Sequence, residues 1–120
     1  SDHIPEDEES KRLPFAQAAT GAIGIETLLP LALEMYHNET LSLNKIIETL
    51  TINPSKILKI DKGTLEKGAA ADICIFDLET PWVVKAGNLK SKSKNTAIEN
   101  RKLQGKILMT FLNGELVFSQ

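Results

Sequence analysis

Between Ser1 and Thr20 no hydrophobic period is sustained, because Pro5, Pro14 and closely spaced charges interrupt every apolar run, and the segment reads as a long surface loop. Loops of that length in compact domains are usually functional or disordered. From Gly21 to Tyr36 the apolar positions Ile25, Leu28, Leu29, Ala32 and Tyr36 recur at helical spacing around Glu26 and Glu34, which predicts an amphipathic helix with Pro30 as a kink or late start. His37, Asn38 and Glu39 break that pattern. Ser42 can then cap a second helix with Leu43, Ile46, Ile47 and Leu50 as its inward stripe. Asn53-Pro54 repeats the start signal, with Pro54 suited to the first helical position and Ile57 and Leu58 facing inward.

After Ile60 the pattern changes. Asp61-Lys62-Gly63 and Lys67-Gly68 read as turns, and Ile73 to Phe76 as a buried strand. Trp82 to Val84 make a short candidate strand after Pro81. Lys106 to Phe111 and Glu115 to Phe118 flank Asn113-Gly114, a strong hairpin signal. The polar stretch from Lys90 to Arg101 reads as a surface excursion, while Trp82, Phe76, Phe111 and Phe118 are expected to pack a small β domain.

Composition narrows the class. With 120 residues, 42% hydrophobic and 25% charged, the chain suits one modest domain and excludes disordered or collagen-like classes. A net charge of -2 with basic residues dispersed gives no footprint for nucleic acid. The single Cys74 lies in an apolar stretch and is expected to be a plain buried thiol in a reducing compartment. The acidic first residues do not form a secretory signal, and no apolar run approaches a membrane span, so a cytoplasmic protein is expected with no membrane partner. The absence of an initiating Met makes the first residues read as the end of a larger element.

Ser1-Asp2-His3-Ile4-Pro5 resembles the Asp-His-Ala-Pro signature of dihydroorotases, at the end of the last strand of an amidohydrolase barrel. Leu13 to Ala18 and Gly21 to Thr27 resemble the family's substrate loop and the following helix start. Asn53-Pro54, Gly63-Thr64-Leu65 and Lys67 to Asp72 resemble the general amidohydrolase tail. Ser91-Lys92-Ser93-Lys94-Asn95-Thr96, Gly105 and Gly114 are similar to the dihydroorotase branch in particular. The resemblance runs the length of the chain in the right order. It implies an α/β parent, a (β/α)8 barrel with an appended β domain, of which roughly 250 residues suit the barrel alone. This chain would be the C-terminal end of that barrel, residues 1–60, plus most of the small β domain, residues 61–120. The missing N-terminal part would be its structural partner, and a homo-oligomer is expected.

The resemblance implies interconversion of dihydroorotate and N-carbamoyl-L-aspartate in pyrimidine biosynthesis, with one or two zinc ions activating water. Asp2 would be the last metal-site carboxylate, acting as general base and then general acid. The other ligands, a His-x-His pair, a bridging carboxylated lysine or aspartate and two further histidines, have no counterpart among His3 and His37. This piece alone is therefore expected to be inactive. His3 would orient the metal site or simply hold the loop. Thr20 and Gly21 match positions whose backbone meets substrate, although Gly21 also suits a helix start without any ligand. Glu6 stands where the family offers a histidine to the substrate carboxylate, and would repel an anion unless protonated or turned away. Lys11 and Arg12 could supply the missing positive charge. Ala97-Ile98 replaces the usual Pro-Phe, which bears on local turn geometry. Two alternatives stand beside this reading: a non-catalytic dihydroorotase-like scaffold for aspartate carbamoyltransferase, towards which Glu6 leans, and another cyclic-amide hydrolase of hydantoinase or allantoinase type.

Overall fold

A computed structural model describes all residues from Ser1 to Gln120. The chain runs from a loop carrying one helical turn, α1 (Glu8–Lys11), through three helices, α2 (Leu28–His37), α3 (Leu43–Leu50) and α4 (Ile52–Leu58). Three strands follow, β1 (Ile73–Val83), β2 (Lys102–Leu112) and β3 (Glu115–Ser119), in one antiparallel sheet of order β1-β2-β3.

Local chemistry explains most boundaries. The Asp7 carboxylate accepts from the Ser10 N–H at 2.8 Å and caps α1, and these hydrogen bonds hold its carboxyl below the ordinary carboxylate value. The α2 helix starts late: a 3₁₀ turn, Ile25–Thr27, precedes it, and Pro30 falls in its first turn, where a missing N–H costs no hydrogen bond. Ser42 caps α3 as expected, accepting from Lys45 N–H at 3.3 Å, and its inward stripe centres on the buried Ile46. In contrast, α4 begins at Ile52, before Asn53-Pro54, and Ile57 and Leu58 are 80% and 67% exposed. The residue it buries is Ser55, whose hydroxyl donates to Thr51 O at 3.0 Å. The inward prediction fails because the α4 flank carrying Ile57 and Leu58 meets no other element of this chain.

Two candidate strands merge into one. β1 continues from Ile73 to Val83 through a register shift between Asp77 and Pro81. There Asp77 accepts from the N–H groups of Glu79 and Thr80 at 2.7 and 2.8 Å, bonds that also hold its carboxyl low. Trp82 fixes the opposite side of the irregularity by donating its indole N–H to Gly105 O at 2.9 Å. Gly105 has φ +99°, and a Cβ there would stand 2.5 Å from Leu33 Cδ1, so this glycine is needed both for backbone conformation and for the approach of α2 to β2. The hairpin forms as predicted, with positive φ at both Asn113 and Gly114 between β2 and β3. Cys74 departs from expectation: it is exposed, and partial shielding from solvent pushes its thiol up against a weaker opposing hydrogen bond with Thr110.

The main core is small. Ile23, Val84, Leu89 and Leu103 form it, with Leu31, Trp82 and Ile98 packed around them. Leu33 and Ile46 are buried beside it. A radius of gyration of 16.2 Å exceeds the roughly 14 Å of a compact domain of this length, and much apolar surface, including Leu116, Val117 and Phe118 on β3, stays open. Phe118 therefore packs less than its sequence pattern suggests. The stretch from Lys90 to Arg101 is not a free excursion, since Leu89 and Ile98 at its ends join the core and polar side chains pin its middle. No helix is long and apolar enough to cross a membrane.

Candidate active site

The loop reaches the body of the chain at one short parallel bridge, His3 to Ala22, where Ile4 N–H donates to Ala22 O at 2.9 Å. That bridge sets the neighbours on each side. Asp2 precedes it with φ +48°, a left-handed conformation uncommon for a residue with a Cβ but one that aspartate adopts more readily than most. Gly21 precedes Ala22 with φ +127°, and a Cβ there would lie 2.6 to 2.7 Å from Ile4 atoms, including 2.7 Å from its carbonyl oxygen. Only glycine fits this crossing.

Asp2 and Gly21 share an open cleft of about 430 Å³ whose apolar walls include Leu28, Leu31 and Ile98. The Asp2 side chain is solvent-accessible and makes no hydrogen bond or ion pair within the chain, so both carboxylate oxygens stay free. Thr20 is exposed and lies outside this cleft. A larger cleft, of about 660 Å³, holds Glu6 among Lys11, Lys92, Ser93 and Asn95. Only the smaller cleft combines an unpaired carboxylate with the Gly21 backbone.

His3 has a structural task. Its Nδ1 accepts from Gly24 N–H at 3.0 Å and Ile25 N–H at 3.4 Å, filling the cap that Gly24 cannot provide for the 3₁₀ turn. The imidazole therefore carries its proton on Nε2.

The positive charges expected to answer Glu6 are committed elsewhere. Arg12 pairs with Glu8 at 2.5 Å and Glu9 at 3.0 Å within its own turn. Lys11 Nζ donates to Ala19 O and Gly21 O at 2.5 and 3.1 Å, so it ties the loop together. Glu6 itself is half-buried and its carboxylate joins no ion pair, while its backbone oxygen accepts from Ser93 Oγ at 2.6 Å.

Sequence reading gave no role to Glu26, Ser93 or Asn95, although the last two stand in the Ser-Lys-Ser-Lys-Asn-Thr run. Glu26 accepts from the N–H groups of Lys90 and Ser91 at 2.8 and 2.9 Å. Asn95 Nδ2 donates to Gly21 O at 2.9 Å, and Asn95 O accepts from Ile23 N–H at 2.9 Å. Nowhere do three His, Cys, Asp or Glu side chains converge to hold a metal ion. Asp2 can serve as one ligand of a set, not as a site by itself.

Comparison with known proteins places the chain in a family. The model of the amidohydrolase family matches residues 7–117. The chain is 43% identical to a dihydroorotase of Ehrlichia chaffeensis, covering 98% of this chain and 26% of that protein. It is 42% identical to a dihydroorotase of Acetivibrio thermocellus, covering 98% of this chain and 28% of that one. Among solved structures, a dihydropyrimidinase from Brevibacillus agri superposes with a TM-score of 0.93 at 22% identity, over 99% of this chain and 27% of that one. An L-hydantoinase from Arthrobacter aurescens superposes with a TM-score of 0.79 at 32% identity, over 87% of this chain and 24% of its own. The chain thus spans about a quarter of the curated relatives it matches. A family match that runs from residue 7 to residue 117 leads to one assignment: the chain belongs to the amidohydrolase family.

Proposed function

We propose that this chain is the C-terminal part of a zinc-dependent dihydroorotase, interconverting dihydroorotate and N-carbamoyl-L-aspartate. The observation that carries the reading is the free Asp2 carboxylate in its left-handed backbone beside Gly21. The 37–43% identities to proteins named dihydroorotase, over 98% of this chain or more, favour that substrate over hydantoin, since the L-hydantoinase likeness is lower, 32% over 87% of the chain, and the dihydropyrimidinase likeness at 22% speaks for the fold alone. In this reading residues 1–60 close a (β/α)8 barrel and residues 61–120 belong to a β domain. The order of elements supports it, with every α-helix before residue 59 and every strand after residue 72.

A carboxylate oxygen is an ordinary zinc donor, so Asp2 fits the metal as one ligand whose companions lie outside this chain. When bound, the metal supplies the Lewis acidity that polarises a carbonyl and lowers the pKa of water. Asp2 takes the proton of the attacking water as a C–O bond forms at the ring carbonyl. It then delivers that proton to the amide nitrogen as the C–N bond breaks. Reversal closes the ring. By the family resemblance Thr20 and Gly21 present backbone groups to the substrate, although only Gly21 lines the cleft with Asp2, and His3 holds the loop that carries Asp2 by capping the turn at Gly24.

Turnover of dihydroorotate, hydantoin and allantoin by the full-length protein tests the reading. Dihydroorotate is the expected substrate, and Asp2→Asn is expected to lower kcat by about 10²- to 10⁴-fold. An Asp2→Asn protein at the wild-type rate overturns it. One observation favours a second reading: the Glu6 carboxylate has no cationic partner where an anionic substrate would need attraction. A protein with no turnover that binds aspartate carbamoyltransferase would be the scaffold that this feature suits.

A further inference from the structure

We infer that Asn95 is the positioning residue of the loop ending at Thr20 and Gly21, which it holds through a polar strap formed by residues 89–101. The inference deepens the proposed function and rests on it in one respect, that the backbone at Thr20 and Gly21 meets substrate.

Asn95 grips the chain on both sides of Ala22. Its side-chain N–H reaches Gly21 O at 2.9 Å, and its backbone oxygen receives Ile23 N–H at 2.9 Å. Ala22 is the residue that pairs with His3, so the two bonds flank the bridge that sets Asp2. The strap is itself tied down by hydrogen bonds. Glu26 accepts two consecutive backbone N–H groups from it, Ser93 Oγ ties it to Glu6 O, and Lys94 Nζ closes it onto Leu89 O and Ser91 O at 2.6 and 2.8 Å. Leu89 anchors its start in the core. Loop and strap are therefore joined by bonds between residues more than sixty positions apart.

The chemistry at this position is specific. Gly21 sits at φ +127° with no side chain to anchor it, so its peptide plane is set by what its carbonyl meets. Two donors meet it, Asn95 Nδ2 and Lys11 Nζ at 3.1 Å. An aspartate at position 95 keeps the volume and the backbone bond to Ile23, but turns an acceptor towards a carbonyl. Neither donor touches Asp2, so loss of positioning should weaken substrate binding and spare the proton transfers.

The test uses the full-length protein with Asn95→Asp and, as a control in the same strap, Thr96→Ala, whose hydroxyl bonds only Ile98 N–H. Asn95→Asp is expected to raise KM for dihydroorotate about tenfold with kcat within about twofold. Hydrogen exchange in the peptide covering residues 18–23 should quicken about tenfold. Thr96→Ala is expected to match wild type in both. Unchanged KM and exchange in Asn95→Asp, a loss confined to kcat, or the same changes in Thr96→Ala would overturn the inference. If the wild-type protein does not turn over dihydroorotate, the substrate reading fails and the exchange comparison alone decides the role of Asn95. Should Asn95→Asp not fold, Asn95→Ala removes the same donor without adding a charge and keeps the backbone bond to Ile23: a KM raised threefold or more supports the positioning role, and an unchanged KM refutes it.

Discussion

Gly105→Ala tests the contact that joins the helices to the sheet. The added methyl would stand 2.5 Å from Leu33 Cδ1, about an ångström or more inside ordinary carbon contact, so the buried Leu33 side chain must shift to admit it. Overpacking of this kind costs about 1–3 kcal/mol. The φ of +99° adds about 1–3 kcal/mol for any residue with a Cβ. The sum is a loss of about 2–6 kcal/mol, read from urea unfolding of the full-length protein. A double-mutant cycle separates the parts. Leu33→Ala alone should cost about 2–5 kcal/mol through its cavity. Combining it with Gly105→Ala removes the clash and leaves the backbone term, so the double variant should be more stable than the sum of singles predicts by about 1–3 kcal/mol. Additivity within about 0.5 kcal/mol, or a Gly105→Ala protein as stable as wild type, would refute the packing argument.

Gly21→Ala should lower kcat/KM by about 10²-fold or more, because a Cβ 2.7 Å from Ile4 O forces the crossing apart and moves both Asp2 and the substrate loop; steady-state kinetics of the full-length protein check this. Asp72 gives a pH prediction. Its carboxyl is held below the ordinary 3.8 by the Lys62 ammonium first and by Asn113 N–H at 2.8 Å second. A depressed folded-state pKa contributes stability that is present above about pH 3.8 and lost as pH falls through the lower folded value. Acid unfolding of Asp72→Asn should therefore show a shallower loss of stability below pH 4 than wild type, and parallel curves would exclude the contribution.

What was legible in the sequence is what short-range physics decides. Ser42 and the stripe through Ile46 fixed α3, and Asn113-Gly114 fixed the β2–β3 turn, because a cap and a type I′ turn are settled within a few residues. The merger of two candidate strands into β1 was not legible, since Pro81 reads as a boundary and only pairing with Gln104, together with the Trp82 bond to Gly105, carries the strand past it. Ile57 and Leu58 show the converse: helical spacing says which residues share a face, not whether anything in this chain covers it. The strap was the largest loss. Lys90, Lys92 and Lys94 make the segment look solvated, while its role lies in Asn95 and in backbone N–H groups received by Glu26, pairings that no local pattern encodes.

Charge around the loop shows what this chain contributes to the proposed reaction. Arg12 is spent on Glu8 and Glu9, Lys11 on two loop carbonyls and Lys94 on two strap carbonyls, so two of the three lysines lining the Glu6 cleft are used for construction. Lys92 is the remaining lysine of that cleft, and it is exposed. A half-buried Glu6 without a cationic partner cannot attract a substrate carboxylate. Under the proposed function, the charge of dihydroorotate must therefore be matched by groups from the rest of the protein, while these residues supply the proton-transferring Asp2 and a fixed backbone at Gly21. It follows that replacing Glu6 by Gln should lower KM for dihydroorotate in the full-length protein, because it removes a repulsion without removing a ligand. An unchanged KM would mean that Glu6 points away from the bound anion.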